Sequence, residues 1–324
     1  MPHALLITGA PGIGKELFAL AFGASLLCEN RNNEDGLPCG NCNACHWLAL
    51  DNHPDLRVLR PSALETGESE GKPEKKGSFE ITIDQVRGLD DFLRVGGHRQ
   101  GQRVIVISPA EAMNRSTANA LLKSLEEPGP GVQFILVSSR AEEILPTVRS
   151  RCQRLVIPRP DKSVALEILR EYDPGTAEAN FALSGGSPFT AIQYFEPGAA
   201  ALLRVWLSTV KLGSAIDPLA ASAGVDGALT KSAKGGEMRT VIDWMQRWVH
   251  DLALASIGQS PRFFPSEGGQ MKRLAEGIGE RNLFLYNKLL VKHKKLSEHP
   301  LNSRLFLNQI FSEYRDLFTT ETSR

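Results

Sequence analysis

The sequence predicts an α/β fold: a parallel sheet with helices on both faces and a cysteine module inserted, followed by a small helical domain and an all-α domain. Three observations predict it. Residues 4–27 read as buried strand, glycine-rich loop and helix. Apolar runs alternate with helical patterns as far as about residue 157, which argues for a parallel sheet. From about residue 162 the strand pattern stops and apolar residues recur at helical spacing.

The elements follow in order. Residues 4–8, Ala4-Leu5-Leu6-Ile7-Thr8, are a short apolar run ending at Gly9, as a strand buried on both faces requires. Residues 15–27 place Leu17, Leu20, Ala21, Ala24 and Leu27 at helical spacing, and these are the expected buried face. Residues 61–80, rich in Glu, Lys, Gly, Ser and Pro, read as a mobile surface loop. Asp84 to Leu93 reads as a helix and Val104 to Ile107 as the second strand. Thr117 to Glu127 is a helix stopped by Pro128 and Gly129. Val132 to Val137 and Arg154 to Ile157 complete the strands, the last closed by Pro158 and Pro160. Val164 to Tyr172 and Thr176 to Leu183 read as short helices. Beyond Pro197 two stripes are expected core: Val241, Trp244, Met245, Trp248, Leu252, and Leu307, Ile310, Phe311, Tyr314, Leu317, Phe318. The domain boundaries expected are 1–160, 161–198 and 199–324, with the cysteine module at 28–45.

Charge and composition narrow the function classes. The 37 basic and 37 acidic residues among 324 leave a formal net charge of zero, so no global field favours unaided nucleic-acid binding. No apolar run approaches the roughly 18 residues of a membrane span. The apolar N-terminal stretch lacks a basic flank and runs into the glycine loop, so a signal peptide is rejected and a cytoplasmic protein is expected.

Gly9-Ala10-Pro11-Gly12-Ile13-Gly14-Lys15-Glu16 matches the phosphate-loop pattern through the lysine. Gly9, Gly12 and Gly14 would let backbone N–H groups approach phosphate, and Lys15 would reach the outer phosphates. The hydroxyl that normally follows the lysine and holds Mg²⁺ is replaced by Glu16. The strand ending at Ile107 runs into Ser108-Pro109-Ala110-Glu111, with no acid at its tip; Glu111, about one helical turn further on, is expected to be a solvated charge. Two readings stay open. One, favoured by the double loss, is a loop that keeps the shape without nucleotide; the other is ATP binding at a degenerate loop.

Cys28, Cys39, Cys42 and Cys45 are spaced by ten, two and two residues. Four thiolates suit a tetrahedral structural Zn²⁺ site. An iron–sulfur cluster and four free cysteines are the alternatives. His46 adjoins Cys45 and is expected outside the ligand set.

Asn119-Ala120-Leu121-Leu122-Lys123-Ser124-Leu125-Glu126-Glu127-Pro128 and Ser150-Arg151-Cys152 resemble signatures of the clamp-loader branch of the AAA+ proteins. The cysteine module after the phosphate-loop helix is similar to the one in bacterial DNA polymerase III clamp-loader subunits. The resemblance is clear over residues 3–160 and weaker beyond. It implies an AAA+ domain, a small lid and a C-terminal collar that joins gamma/tau, delta and delta-prime subunits into an open ring. That ring loads the sliding clamp onto primed DNA.

Within the family the ATPase carries a hydroxyl after the lysine, an Asp-Glu pair after the second strand and an arginine in the small helical domain. Here those positions hold Glu16, Ser108 with Pro109, and Phe189, so the chain resembles the delta-prime type. Arg151 resembles the arginine finger that reaches a neighbour's ATP; a helix-end salt bridge is the alternative. Family members carry a segment before the first strand, whereas this sequence starts at Met1, so either that segment was lost or the start lies upstream. An active gamma/tau-type ATPase and a zinc-bearing DNA-binding module are the rival functions, the latter weakened by the zero net charge.

Overall fold

The computed structural model describes residues 2–30, 36–62, 78–94, 101–232, 238–297 and 302–318. The expected loop at 61–80 falls largely outside them. The chain forms two compact units, Met1–Arg159 and Pro160–Arg324.

The first unit is built on five parallel strands: β1 (Ala4–Thr8), β2 (Leu56–Leu59), β3 (Arg103–Ile107), β4 (Val132–Ser138) and β5 (Gln153–Val156). They lie in the order β2-β3-β4-β1-β5. Strand alternation sends successive side chains to opposite faces. Leu6, Ile105, Ile107, Phe134 and Leu136 pack on one face against α3 (Ile83–Arg94), α4 (Arg115–Glu126) and α5 (Pro146–Arg149), through Val86, Leu89, Leu121, Leu125 and Val148. Ile7, Val104, Val106, Ile135 and Val137 pack on the other against α1 (Lys15–Leu27). Helices therefore cover both faces, as expected.

Two expectations for this unit are corrected. β2 was not foreseen, so the strand at 103–107 is the third in chain order. β2 is four residues long, carries Arg57 and lies at the sheet's edge, so it has neither the length nor the continuous apolar character of a central strand. In α1 the buried face is Lys15, Ala19, Gly23 and Leu27, while Leu17 and Phe18 are exposed. The helix lies so close to the sheet that a Cβ on Gly23 would sit 3.1 Å from the Val104 side chain. A small residue is required there, and Leu17 and Phe18 turn outward, while Leu27 is buried as expected and Leu20 packs partly against the sheet. The helix α4 is capped by Asn114, whose side chain accepts the Thr117 N–H at 3.0 Å.

The second unit is helical. Helices α6 (Lys162–Tyr172), α7 (Ala177–Leu183) and α8 (Pro188–Gln193) share a small core of Ala165, Leu166, Leu169, Ala177, Phe181 and Ala191. The remaining helices are α9 (Pro197–Val210), α10 (Pro218–Lys231), α11 (Met238–Ser256), α12 (Gly268–Ala275), α13 (Glu280–Leu296) and α14 (Ser303–Asp316). They surround a larger core in which Trp206, Trp244, Trp248 and Tyr314 are fully buried. Both expected stripes are buried there, Phe318 partly so. The Trp248 Nε1–H donates to the Tyr314 hydroxyl, which donates to the Val210 carbonyl, both at 2.9 Å. Asp251 is fully buried and accepts the backbone N–H groups of Arg262, Phe263 and Phe264 at 3.0, 2.7 and 2.8 Å. It thereby anchors the segment that follows α11.

Candidate functional site

The glycine loop joins β1 to α1. Gly9, Gly12 and Gly14 all adopt positive φ, backbone conformations that side-chain-bearing residues rarely take. A side chain at Gly9 is impossible: its Cβ would fall 2.5 Å from the Ile157 carbonyl oxygen. Lys15 is buried, and its ammonium donates to the Ala10 carbonyl at 2.6 Å and to the Ser139 hydroxyl at 2.9 Å. Burial pulls its pKa down, and the Glu111 carboxylate opposes that shift.

Glu111 is therefore not the solvated charge expected. Its side chain is only 5% exposed, one oxygen accepts the Ser139 N–H at 3.1 Å, and the other has no hydrogen-bond partner among the described residues. The residue stands on the short 3₁₀ turn Ala110–Ala112 and meets Ser139, the residue whose hydroxyl accepts from Lys15. Sequence distance from the strand tip could not reveal that contact.

The two departures from a Mg²⁺ site meet in space. One oxygen of Glu16 accepts the Ser108 hydroxyl at 2.7 Å. The other pairs with Arg60, Nε at 2.8 Å and Nη2 at 2.6 Å. Mg²⁺ in this fold needs the hydroxyl after the lysine and a strand-tip carboxylate, in near-ideal octahedral oxygen geometry. The residues present supply neither, and those that replace them are bonded to each other, so they do not fit Mg²⁺–nucleotide. Arg60 and Ser139 were missed in the sequence, and no spacing or motif marks them.

Cys28 follows α1, Cys39 and Cys42 lie in the succeeding turn, and Cys45 is on the unforeseen helix α2 (Asn43–Ala49). Asn43 opens that helix, with Cys42 as its N-cap accepting the Cys45 N–H at 3.4 Å. The four sulfurs lie within 4.8 Å of one another. Cys28 to Cys42 and Cys39 to Cys45 are 3.9 Å apart, and Cys45 to Cys28 is 3.8 Å. Four sulfurs around one ion at the Zn–S distance would form a tetrahedron with edges of about 3.8 Å. These separations exclude disulfides, whose sulfurs lie about 2 Å apart. The cluster could hold a metal such as zinc; His46 is outside it. Burial raises the Cys42 thiol's pKa, but hydrogen bonds from the Cys45 and Glu29 backbones and from the Cys45 and Cys39 thiols outweigh it and leave Cys42 at about 6. Burial, aided by the Cys42 thiol, pushes Cys45 up to about 12.

Arg151 lies just beyond α5, at the start of the turn into β5. Its guanidinium grips Glu126 at the end of α4 through Nε, at 2.8 Å, and Nη2, while Nη1 donates to the Thr147 carbonyl at 2.7 Å. This is the geometry of the salt-bridge alternative. The side chains are 33% and 49% exposed, so solvent screens the pair and a competing anion can reach it. Phe189, at the position that resembles the ATPase's small-domain arginine, is on α8 and exposed. No helix among the described residues is long and apolar enough to cross a membrane.

A family model described as DNA polymerase III, delta subunit, matches residues 1–161. Over 97% of its length the chain is 33% identical to the DNA polymerase III subunit delta' of Pseudomonas aeruginosa, covering 92% of that protein. It is 31% identical to subunit delta' of Escherichia coli over 60% of this chain and 54% of that one. With the gamma/tau subunit of Mycobacterium bovis it shares 28% identity over 79% of this chain and 46% of that one.

Proposed function

The chain belongs to the delta-prime family of DNA polymerase III clamp-loader subunits, and from that premise we propose that it acts as a non-hydrolysing stator. The observation that carries the reading is Glu16 bonded to Ser108 where an ATPase would hold Mg²⁺. Without the ion that neutralises charge developing on the transferring phosphoryl group, a phosphate loop has no route to fast hydrolysis. The chain assembles in the cytoplasm with gamma/tau and delta. In that ring it meets the sliding clamp indirectly and primed DNA as part of the complex.

The lid comprises residues 161–198 and the collar 199–324; the separate small core of α6–α8 supports that division. The four cysteines hold one structural Zn²⁺. Their spacing suits a single ion better than a multi-atom iron–sulfur cluster, and with four protein ligands no open catalytic position remains. Arg151 serves as the finger for a neighbour's ATP, exchanging Glu126 for phosphate. Reconstitution with gamma/tau and delta tests the whole reading: the ring loads clamps only with this chain present, while the chain alone does not turn over ATP. Turnover by the purified chain would instead favour an active gamma/tau-type ATPase.

A further inference from the structure

Arg60 is the first residue after β2, and Ser108 the first after β3. The preceding residues, Leu59 and Ile107, are partners in the β2–β3 register. The Ser108 N–H donates to the Leu59 carbonyl at 3.0 Å, and Gln85 Nε2 donates to the Arg60 carbonyl at 2.8 Å. Sheet pairing and a side-chain clamp from α3 thus fix the backbone at both positions. From them a guanidinium and a hydroxyl converge on Glu16, at the start of α1, and take one carboxylate oxygen each.

We infer that Arg60 is a built-in substitute for the metal ion. It sits beside the residue after the phosphate-loop lysine and neutralises Glu16 there, holding the loop's first helical turn against two strand tips with no divalent cation. A Mg²⁺ ion brought to this place would find both oxygens of Glu16 engaged and a fixed positive charge beside them, at a separation where like charges repel strongly. Mg²⁺ also sheds its water reluctantly and accepts only oxygen ligands, so it cannot displace a guanidinium already paired at 2.6 Å. The loop keeps its shape because the Glu16–Arg60–Ser108 cluster replaces the metal, rather than merely lacking it. This inference deepens the non-hydrolysing reading. It is read from the Mg²⁺ dependence and melting of the lone chain, whereas the stator reading is tested by ATP turnover and by clamp loading in the reconstituted ring, so the two failures are distinguishable.

The experiment uses the full-length chain in two measurements. In the first, a fluorescent ATP analogue is titrated into the wild type with excess Mg²⁺ and again with EDTA. The expected result is the same affinity, or the same lack of it, in both. In the second, Glu16→Gln, Arg60→Gln and the double variant are melted. Each single change should lower the midpoint by about 1–3 °C, the range for a half-exposed ion pair in a protein of this size, and the double variant should lose less than the sum. Both side chains are near the surface, so all three variants should fold. Mg²⁺-strengthened binding in the wild type, or additive losses in the cycle, would overturn the inference.

Discussion

Arg151→Ala separates the two roles open to this residue. In the chain alone the substitution removes a half-exposed ion pair with Glu126 and a hydrogen bond to the Thr147 carbonyl. Exposed pairs contribute about 0.2–1 kcal/mol, so the melting midpoint should fall by no more than about 3 °C. The same small number makes exchange feasible in the ring. An arginine finger contributes about 10³ to 10⁵ in rate, or about 4–7 kcal/mol, which far exceeds the cost of leaving Glu126. The steady-state ATPase of the reconstituted ring should therefore fall with Arg151→Ala, by less than the full factor because other sites keep their own groups. Arg151→Lys should resemble alanine, since an ammonium cannot reproduce the planar fork. Glu126→Gln is the decisive companion. It breaks the same ion pair but leaves the guanidinium free to reach phosphate, so turnover should survive. Equal losses for Glu126→Gln and Arg151→Ala, or no loss in the Arg151→Ala ring, would refute the finger and leave Arg151 as a structural bridge.

Four other outcomes are expected. Metal analysis should find about one zinc per chain, and Cys42→Ser should lower thermal stability without abolishing a reaction; visible absorbance from a brown protein would indicate iron–sulfur instead. Because Cys45, pushed up to about 12 without metal, must lose its proton to bind, zinc affinity should fall as pH falls, which a competition titration with a chelator would follow. Glu16→Thr alone should not bring ATP turnover to the isolated chain, since Ser108 still offers no carboxylate; a phosphate-release assay checks it. Asp251→Ala strands three backbone N–H groups in the helical unit and should cost about 3 kcal/mol in denaturant unfolding, whereas loss under 1 kcal/mol would mean the segment after α11 finds other partners.

Local, periodic and motif-borne features were legible in the sequence. The central strands announced themselves because burial on both faces demands unbroken apolar runs, and α11 and α14 because one face of a helix must repeat at its own period. The four cysteines were legible as a cluster that could hold a tetrahedral ion because such a site needs ligands brought close by short connections, and short connections leave a spacing. The tips of strands far apart in the chain left no such trace. Arg60 lies 44 residues from Glu16, across the cysteine module, and only the pairing of β2 with β3 brings it to the loop. Glu111 looked like a surface charge until the fold buried it against the Ser139 N–H, where its carboxylate acts on Lys15. The α1 face was misread for a related reason: hydrophobicity names residues that prefer burial, but the distance between helix and sheet decides which fit, and here it admits Ala19 and Gly23 while excluding Leu17. The sequence by itself determined the strand–loop–helix order, the four-cysteine donor set that could hold a metal, and Glu16 and Ser108 at the positions where a phosphate-loop ATPase carries a hydroxyl and a carboxylate. The tertiary structure alone decided what pairs with Glu16, because an ion pair between distant residues is fixed by strand register and packing distance, neither of which leaves a period in the chain.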